Sequence, residues 1–353
     1  MRNLVVARDP AAAAAGRALL DAGANAVDMA LAGMLAGAVR ASASSILGGC
    51  AMLVVGTGMG RHWVDGRPRA PGLGERRPRT PEHPPEHWGA AVPGFFQGAF
   101  TAHARFGTIP LTQVARAAIT AIKEEGSDKD LRPRVRLMET AARQGLPGLV
   151  SAGFVRAALA TVGPAEGGLF TEEDLALGPA VIREAVACTD GAYEVFSFPR
   201  GVTRWSASPP APLPSVPVDA VVACDKQGVV CVASWLVAPE GPALQGLPGI
   251  CLPDLLPLPR KGVTRWRPGS PLPFAFPIAA LAHEANVFAG FALAGRGSLQ
   301  GCGDALVSAR LASLGAQVSI GDPEADTVVA HGASLWVQRE LQGDRVHGDV
   351  TPL

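Results

Sequence analysis

Ala15-Gly16-Arg17-Ala18-Leu19-Leu20-Asp21-Ala22-Gly23-Ala24-Asn25-Ala26-Val27-Asp28 marks the join between two helices, and the segments on either side of it set the architecture. Upstream, Asp9 is an N-cap residue and Pro10 suits a first helical position, so a helix is predicted over Ala11 to Leu20, stopped by Gly23. Downstream, a second helix is predicted from Ala26 to about Val39. Ser44-Ser45-Ile46-Leu47-Gly48-Gly49 then leads into an apolar strand, Cys50 to Val55, which Gly56-Thr57-Gly58-Met59-Gly60 turns back into a partner around His62 to Val64. Gly56, Gly58 and Gly60 superficially suggest a dinucleotide loop, but no helix follows them, so they read as a hairpin turn.

Residues 66 to 90 are rich in Pro, Arg, Glu and Gly without an apolar period and read as a loop. Helices are predicted from Phe95 to Arg105 and from Leu111 to Glu124, closed by Gly107 and Gly126. A less defined helical stretch ends at Thr171, which caps a short helix with Asp174 three residues on. The pattern changes at about Tyr193. Val218 to Ala223 and Val229 to Trp235, joined by Asp225-Lys226-Gln227-Gly228, are nearly continuous apolar runs buried on both faces. Ala275 to Ala282 and Val287 to Ala294 form a second hairpin, followed by a helix over Asp304 to Leu314 and strands at Thr327 to Ala330 and Leu335 to Arg339. Helices first, then buried hairpins, then helix and strands, predict an α/β fold of two packed sheets covered by helices. The pentapeptide Gly-Val-Thr-Arg-Trp occurs at 201–205 and 262–266 without flanking similarity, so it is no repeat.

The 353 residues are 48% hydrophobic and 18% charged, enough for a sizeable core. Lys plus Arg (31) equals Asp plus Glu (31), so no net field recruits nucleic acid or an anionic membrane, and a small or neutral ligand is the expected one. The cysteines at 50, 188, 224, 231, 251 and 302 lack zinc-ribbon or CxxC spacing. Cys224 and Cys231 read as inert core residues. His83, Glu86 and His87 resemble a metal pair, but Pro84 and Pro85 prevent the helix that would align them, so no metal is expected. Phosphate-loop and nucleophile-elbow motifs are absent, and no cofactor is expected. The N-terminal apolar run is too short for a signal peptide and Ala26 to Val39 is too short to span a bilayer, so the expected location is cytoplasmic.

The block from Ala11 to Leu53 resembles the amino-terminal region of the γ-glutamyltransferases. Val92-Pro93-Gly94-Phe95, Arg105-Phe106-Gly107-Thr108-Ile109-Pro110, Gly167-Gly168-Leu169-Phe170-Thr171-Glu172-Glu173-Asp174-Leu175 and Tyr193-Glu194-Val195-Phe196-Ser197 extend the similarity in the right order. The resemblance implies the N-terminal nucleophile hydrolase fold, a four-layer αββα sandwich with two packed, mainly antiparallel sheets. It implies an ancestral reaction in which the precursor cuts itself before a threonine. That hydroxyl then attacks γ-glutamyl amides with its freed amino group as base.

Counting back from Asp225 in the family pattern puts the nucleophile position at Val218, which has no hydroxyl. Asp219 follows it, where the family tends to a small hydroxyl residue. The oxyanion-supporting serine pair is matched by Pro273 and Phe274, whose side chains donate no hydrogen bond. The late glycine pair is matched by Gly295-Arg296-Gly297-Ser298, and the carboxylate-gripping triplet by Arg67-Pro68-Arg69. The asparagine-rich stretch is matched by Cys251-Leu252-Pro253-Asp254. The substrate-binding candidates are therefore Arg67, Arg69, Asp254, Gly295, Gly297 and Ser298. Ser215, three residues before Val218, is the alternative nucleophile if the chain cuts after Pro214, against a bland reading as a loop entering a strand. The expectation is a single domain over 1–353, with 1–214 equivalent to the family's large subunit and an uncleaved 215–353 to the small one. Such a chain keeps the fold for binding or scaffolding, with itself or an active relative as partner. The competing expectation is an active amide hydrolase, or another enzyme of the old pocket that uses groups such as Asp219.

Overall fold

The computed structural model describes residues 3–56, 58–74, 86–126, 131–176, 178–186, 188–190, 193–198, 216–256, 266–272, 274, 276, 278–283, 286–295, 332–339 and 346–352. Its strands fall into two leaves. The first runs β4 (Val181–Glu184), β3 (Gly60–Gly66), β2 (Cys50–Gly56), β8 (Val230–Leu236), β7 (Val218–Cys224) and β1 (Leu4–Ala7). The second runs β5 (Cys188–Asp190), β6 (Tyr193–Phe198), β11 (Ile278–His283), β12 (Asn286–Gly295), β13 (Gly332–Arg339) and β14 (Val346–Pro352). Every neighbouring pair in both leaves is antiparallel. A single ladder step, Gly295 opposite Val218, joins the leaves into one continuous sheet that folds back on itself.

Strand periodicity explains the layering. On β7, Val221 and Ala223 pack into the core shared with the helices, whereas Val218, Ala220, Val222 and Cys224 pack into the core between the leaves. Alternate residues of β2 and β8 divide in the same way: Met52, Val54, Cys231 and Ala233 to one side, Leu53, Val55, Val230 and Val232 to the other. The leaves approach closely at Gly290, where a Cβ would lie 2.6 Å from Val230 Cγ1 and 3.0 Å from Val222 Cγ1. Arg61 on β3 reaches across to Glu194 on β6 (3.0 Å) and lies over the Phe196 ring, a strut between the leaves at their other side.

The helical layer comprises α1 (Pro10–Arg17), α2 (Ala26–Ala41), α3 (Phe95–Phe106), α4 (Leu111–Glu124), α5 (Arg132–Gln144), α6 (Leu146–Leu149), α7 (Ala152–Val162) and α8 (Glu172–Leu175). A separate small ribbon pairs β9 (Glu240–Ala243) with β10 (Cys251–Pro253). Helix α1 begins as predicted, with the Asp9 carboxylate accepting from Ala12 N–H, but ends at Arg17, before the predicted Leu20. Helix α2 starts where predicted because Asn25 and Asp28 form a reciprocal capping box. Among the described residues, helices, leaf and leaf make three of the four expected layers. The helix predicted over Asp304 to Leu314 and the strand at Thr327 to Ala330 lie outside the described residues. No described helix is long and apolar enough to cross a membrane.

Candidate functional site

The family pattern directs attention to the head of β7, where the leaves meet. Val218 is 4% exposed, opposite both Leu236 on β8 and Gly295 on β12. Its side chain belongs to the inter-leaf core with Leu236, Leu272 and Phe274. Immediately before it, Pro217 C=O accepts from Val237 N–H at 2.8 Å, and Val216 packs against the same core. On the adjacent strand, Leu236 N–H donates to Gly49 C=O at 2.9 Å, which ties the Gly48-Gly49 turn to the site.

Asp219, one residue on, points to the opposite face of β7. Its carboxylate lies 3.5 Å from the Arg8 guanidinium and accepts from Ala220 N–H at 2.9 Å. Burial pushes this carboxyl above the usual carboxylate range, more than Arg8 and the Ala220 amide pull it down. A raised folded-state pKa means that the fold binds the proton more tightly than the unfolded chain. Stability therefore declines as pH rises through that range. Asp219→Asn is accordingly expected to gain stability relative to the parent as pH rises above the ordinary Asp value of about 4, measured by urea unfolding. A difference that stays constant with pH contradicts this account.

Above the head of β7, short extended segments form a roof. Arg69 exchanges backbone hydrogen bonds with Val92 (3.1 and 2.9 Å) and bridges Pro271, while Ala90 bridges Asp254. Ala70, Ala91, Leu255 and Leu272 close over the inter-leaf core beside Val218. Arg67 does not reach out from this roof. Its guanidinium is clamped bidentately on Asp65, with Nε to Oδ1 at 2.9 Å and Nη2 to Oδ2 at 2.8 Å. Asp65 was legible as its partner, because residues two apart on an extended chain share a face. The region read as a bare loop thus contains ordered backbone pairing, which Pro68 and Pro71 concealed from pattern reading.

Asp254 packs a carboxylate oxygen against the backbone of Gly89, where a Cβ would collide with it, and burial raises its carboxyl above the ordinary value. Gly295 sits opposite Val218, whereas Gly297, Ser298, Ser215, Pro273 and His83 lie outside the described residues. The structure thus brings Val218, Gly295 and Phe274 together and keeps Asp219 on the other face of the leaf. Cys224 and Cys231 are fully buried, and burial with the Asp28 and Asp225 carboxylates pushes the Cys231 thiol far up, so it is inert.

The motifs that carry the resemblance are structural. Asn25 Oδ1 accepts from Val27 and Asp28 N–H, and Asp28 Oδ2 accepts from Asn25 N–H and from Thr108 and Ile109 in the α3–α4 connection. Asp225 closes the β7–β8 turn and accepts from Ala26 N–H at the start of α2. Ser42, Ser44 and Ser45 spend their hydroxyls on the backbone of residues 238–239.

Comparison with known proteins agrees with this architecture. Residues 12–128 match the γ-glutamyltranspeptidase family. Two acylase ACY 1 proenzymes, from Pseudomonas sp. strains SE83 and V22, are each 29% identical over 250 residues, covering 56% of this chain and 45% of theirs. The chain thus spans less than half the length of these curated relatives. A crystal structure of cephalosporin acylase from Bacillus halodurans superposes with a TM-score of 0.61 at 15% identity, covering 99% of this chain and 94% of that one. The amino-terminal third of the chain is therefore similar to the γ-glutamyltranspeptidase family, and the chain shares its fold with the cephalosporin acylase.

Proposed function

We propose that this chain is a γ-glutamyltransferase-like protein that neither cuts itself nor hydrolyses γ-glutamyl amides, and that it uses the fold for binding. One observation carries the reading: the residue at the head of β7 is a valine packed in the inter-leaf core, behind a Pro217 carbonyl already engaged by Val237 N–H. Self-cleavage of this type needs a hydroxyl to attack the preceding carbonyl, and a hydrocarbon supplies neither nucleophile nor base. Loss of a covalent nucleophile costs on the order of 10⁶ in rate in a comparable hydrolase. The oxyanion positions reinforce the reading, since Phe274 is buried among apolar groups and neither it nor Pro273 donates a side-chain hydrogen bond. On this reading residues 1–214 and 215–353 stay one chain.

The purified chain is expected to show one intact mass and to leave γ-glutamyl anilides unchanged. Val218→Thr is expected to remain one mass as well, because a restored hydroxyl still lacks oxyanion donors. Two fragments from the parent chain overturn the proposal outright. Two fragments from Val218→Thr alone would show that the rest of the processing machinery survives.

The acylase names of the relatives favour a second reading, amide hydrolysis from Ser215 after a cut at Pro214. Covalent labelling by a hydroxyl-directed probe, abolished in Ser215→Ala, supports that alternative. An unlabelled chain of one mass removes it.

A further inference from the structure

We propose that the outer edge of β4 is a docking site for an extended peptide segment of another protein, which adds to the first leaf as one further antiparallel strand. β4 ends the order of that leaf, and among the described residues nothing pairs with its other side. Ala185 N–H donates to Arg61 C=O on β3 at 2.8 Å, which fixes the direction of the backbone groups along the strand. Directions alternate, so Val181 and Arg183 turn their N–H and C=O toward β3, and Ile182 and Glu184 turn theirs outward. Those outward groups are a template for a new strand. Val181 (48% exposed) and Val186 (45%), the two exposed large apolar side chains among the described residues, flank it. The inference stands whether or not the chain cuts itself.

A second copy of the chain does not fit this edge. A two-fold pair of β4 strands sets residues of the same backbone direction opposite each other. Centred on Arg183, it puts guanidinium against guanidinium; centred on Glu184, it puts carboxylate against carboxylate. Like charges directly opposite are destabilising. Centred on Ile182, it needs Ala180 N–H opposite Glu184, but that N–H already donates to the Thr101 hydroxyl on α3 at 2.9 Å. Other centres run off the four-residue strand.

Charge and register define the partner. The Arg183 guanidinium lies over the Trp63 ring, 5.5 Å from its centroid, and among the described residues no carboxylate pairs with it. Because Arg183 turns its backbone inward, the residue opposite it on an added strand forms the closer, non-hydrogen-bonded pair, with Cα atoms about 4.5 Å apart. A carboxylate complements it there, and a cation complements Glu184 one position along. Ile182, which packs against the helix-side core, and Val181 favour apolar partners. Antiparallel addition sets the order: from its amino end, the segment carries a basic residue, an acidic residue and two apolar residues.

Titration of the full chain into a capped, fluorescein-labelled peptide, Thr-Lys-Glu-Val-Val-Thr, followed by fluorescence polarisation, tests this. Saturable binding is expected, weakened by about tenfold or more in Glu184→Pro, which deletes an outward N–H. That variant keeps the β3–β4 ladder, which runs through Val181, Arg183 and Ala185, so its thermal midpoint is expected to match the parent's. Glu184→Ala keeps the N–H and is expected to lose less than about fivefold. Arg183→Glu is expected to weaken binding and to recover it with the peptide that carries Lys in place of Glu. Absence of saturation, or parental binding by a folded Glu184→Pro chain, overturns the docking edge, and failure of the charge-swapped rescue overturns the register. Sedimentation showing a dimer that Glu184→Pro dissociates gives the edge to a second copy and overturns the peptide assignment.

Discussion

Asp28→Ala is expected to cost about 3–5 kcal/mol of unfolding free energy, because it removes a buried charged acceptor and strands its donors. Asp28 is 0% exposed, and one oxygen, Oδ2, accepts from Asn25 N–H (3.2 Å), Thr108 N–H (3.0 Å), the Thr108 hydroxyl (2.6 Å) and Ile109 N–H (3.3 Å). Among the described residues its other oxygen has no hydrogen-bond partner, with His103 Nε2 at 3.8 Å. That asymmetry makes a sharper prediction. Asp28→Asn keeps an acceptor where the four donors converge, so its loss is expected to be about 1 kcal/mol. Chemical denaturation of the three proteins at one pH checks the order. Equal losses for Ala and Asn mean that charge, rather than the single converging oxygen, holds the knot.

Gly37→Ala is expected to destabilise by about 3 kcal/mol, against the usual gain of roughly 1 kcal/mol for replacing a helical glycine. Gly37 lies within α2 against the fully buried ring of Trp235 on β8, and a Cβ would collide with Trp235 Cζ2. The fused ring cannot swing away, since β8 is buried along its whole length. Trp235→Phe removes the offending ring atoms, so the double variant should recover more than about 1 kcal/mol relative to the sum of the single changes. Strict additivity in a double-mutant cycle would show that the ring is not the obstacle.

Helix α2, the hairpins and the division into two packed leaves were readable because period and caps agreed: Asn25 and Asp28 announce a capping box, and Asp225 to Gly228 announce a turn. Strand β1 was not, since four apolar residues gain meaning only from pairing with β7. Nor was the edge strand β4, whose Val-Ile-Arg-Glu carries no clear alternation. At the site, the absence of a hydroxyl at Val218 follows from residue identity alone. The partnering of Arg67 with Asp65, of Asp219 with Arg8, and the roof that pairs Arg69 with Val92 depend on contacts across the fold.

The Asp225 carboxylate joins residues 199 positions apart when it holds Ala26 N–H, and β2 likewise waits for β8 to fill the sheet beside it. During synthesis the first helices and hairpin emerge without the strands that complete them. Closing so long a loop is slow, because chain entropy is lost before distant contacts repay it. The amino-terminal quarter should therefore stay protease-sensitive on the ribosome until β7 and β8 have left the exit tunnel, and then become resistant in one step.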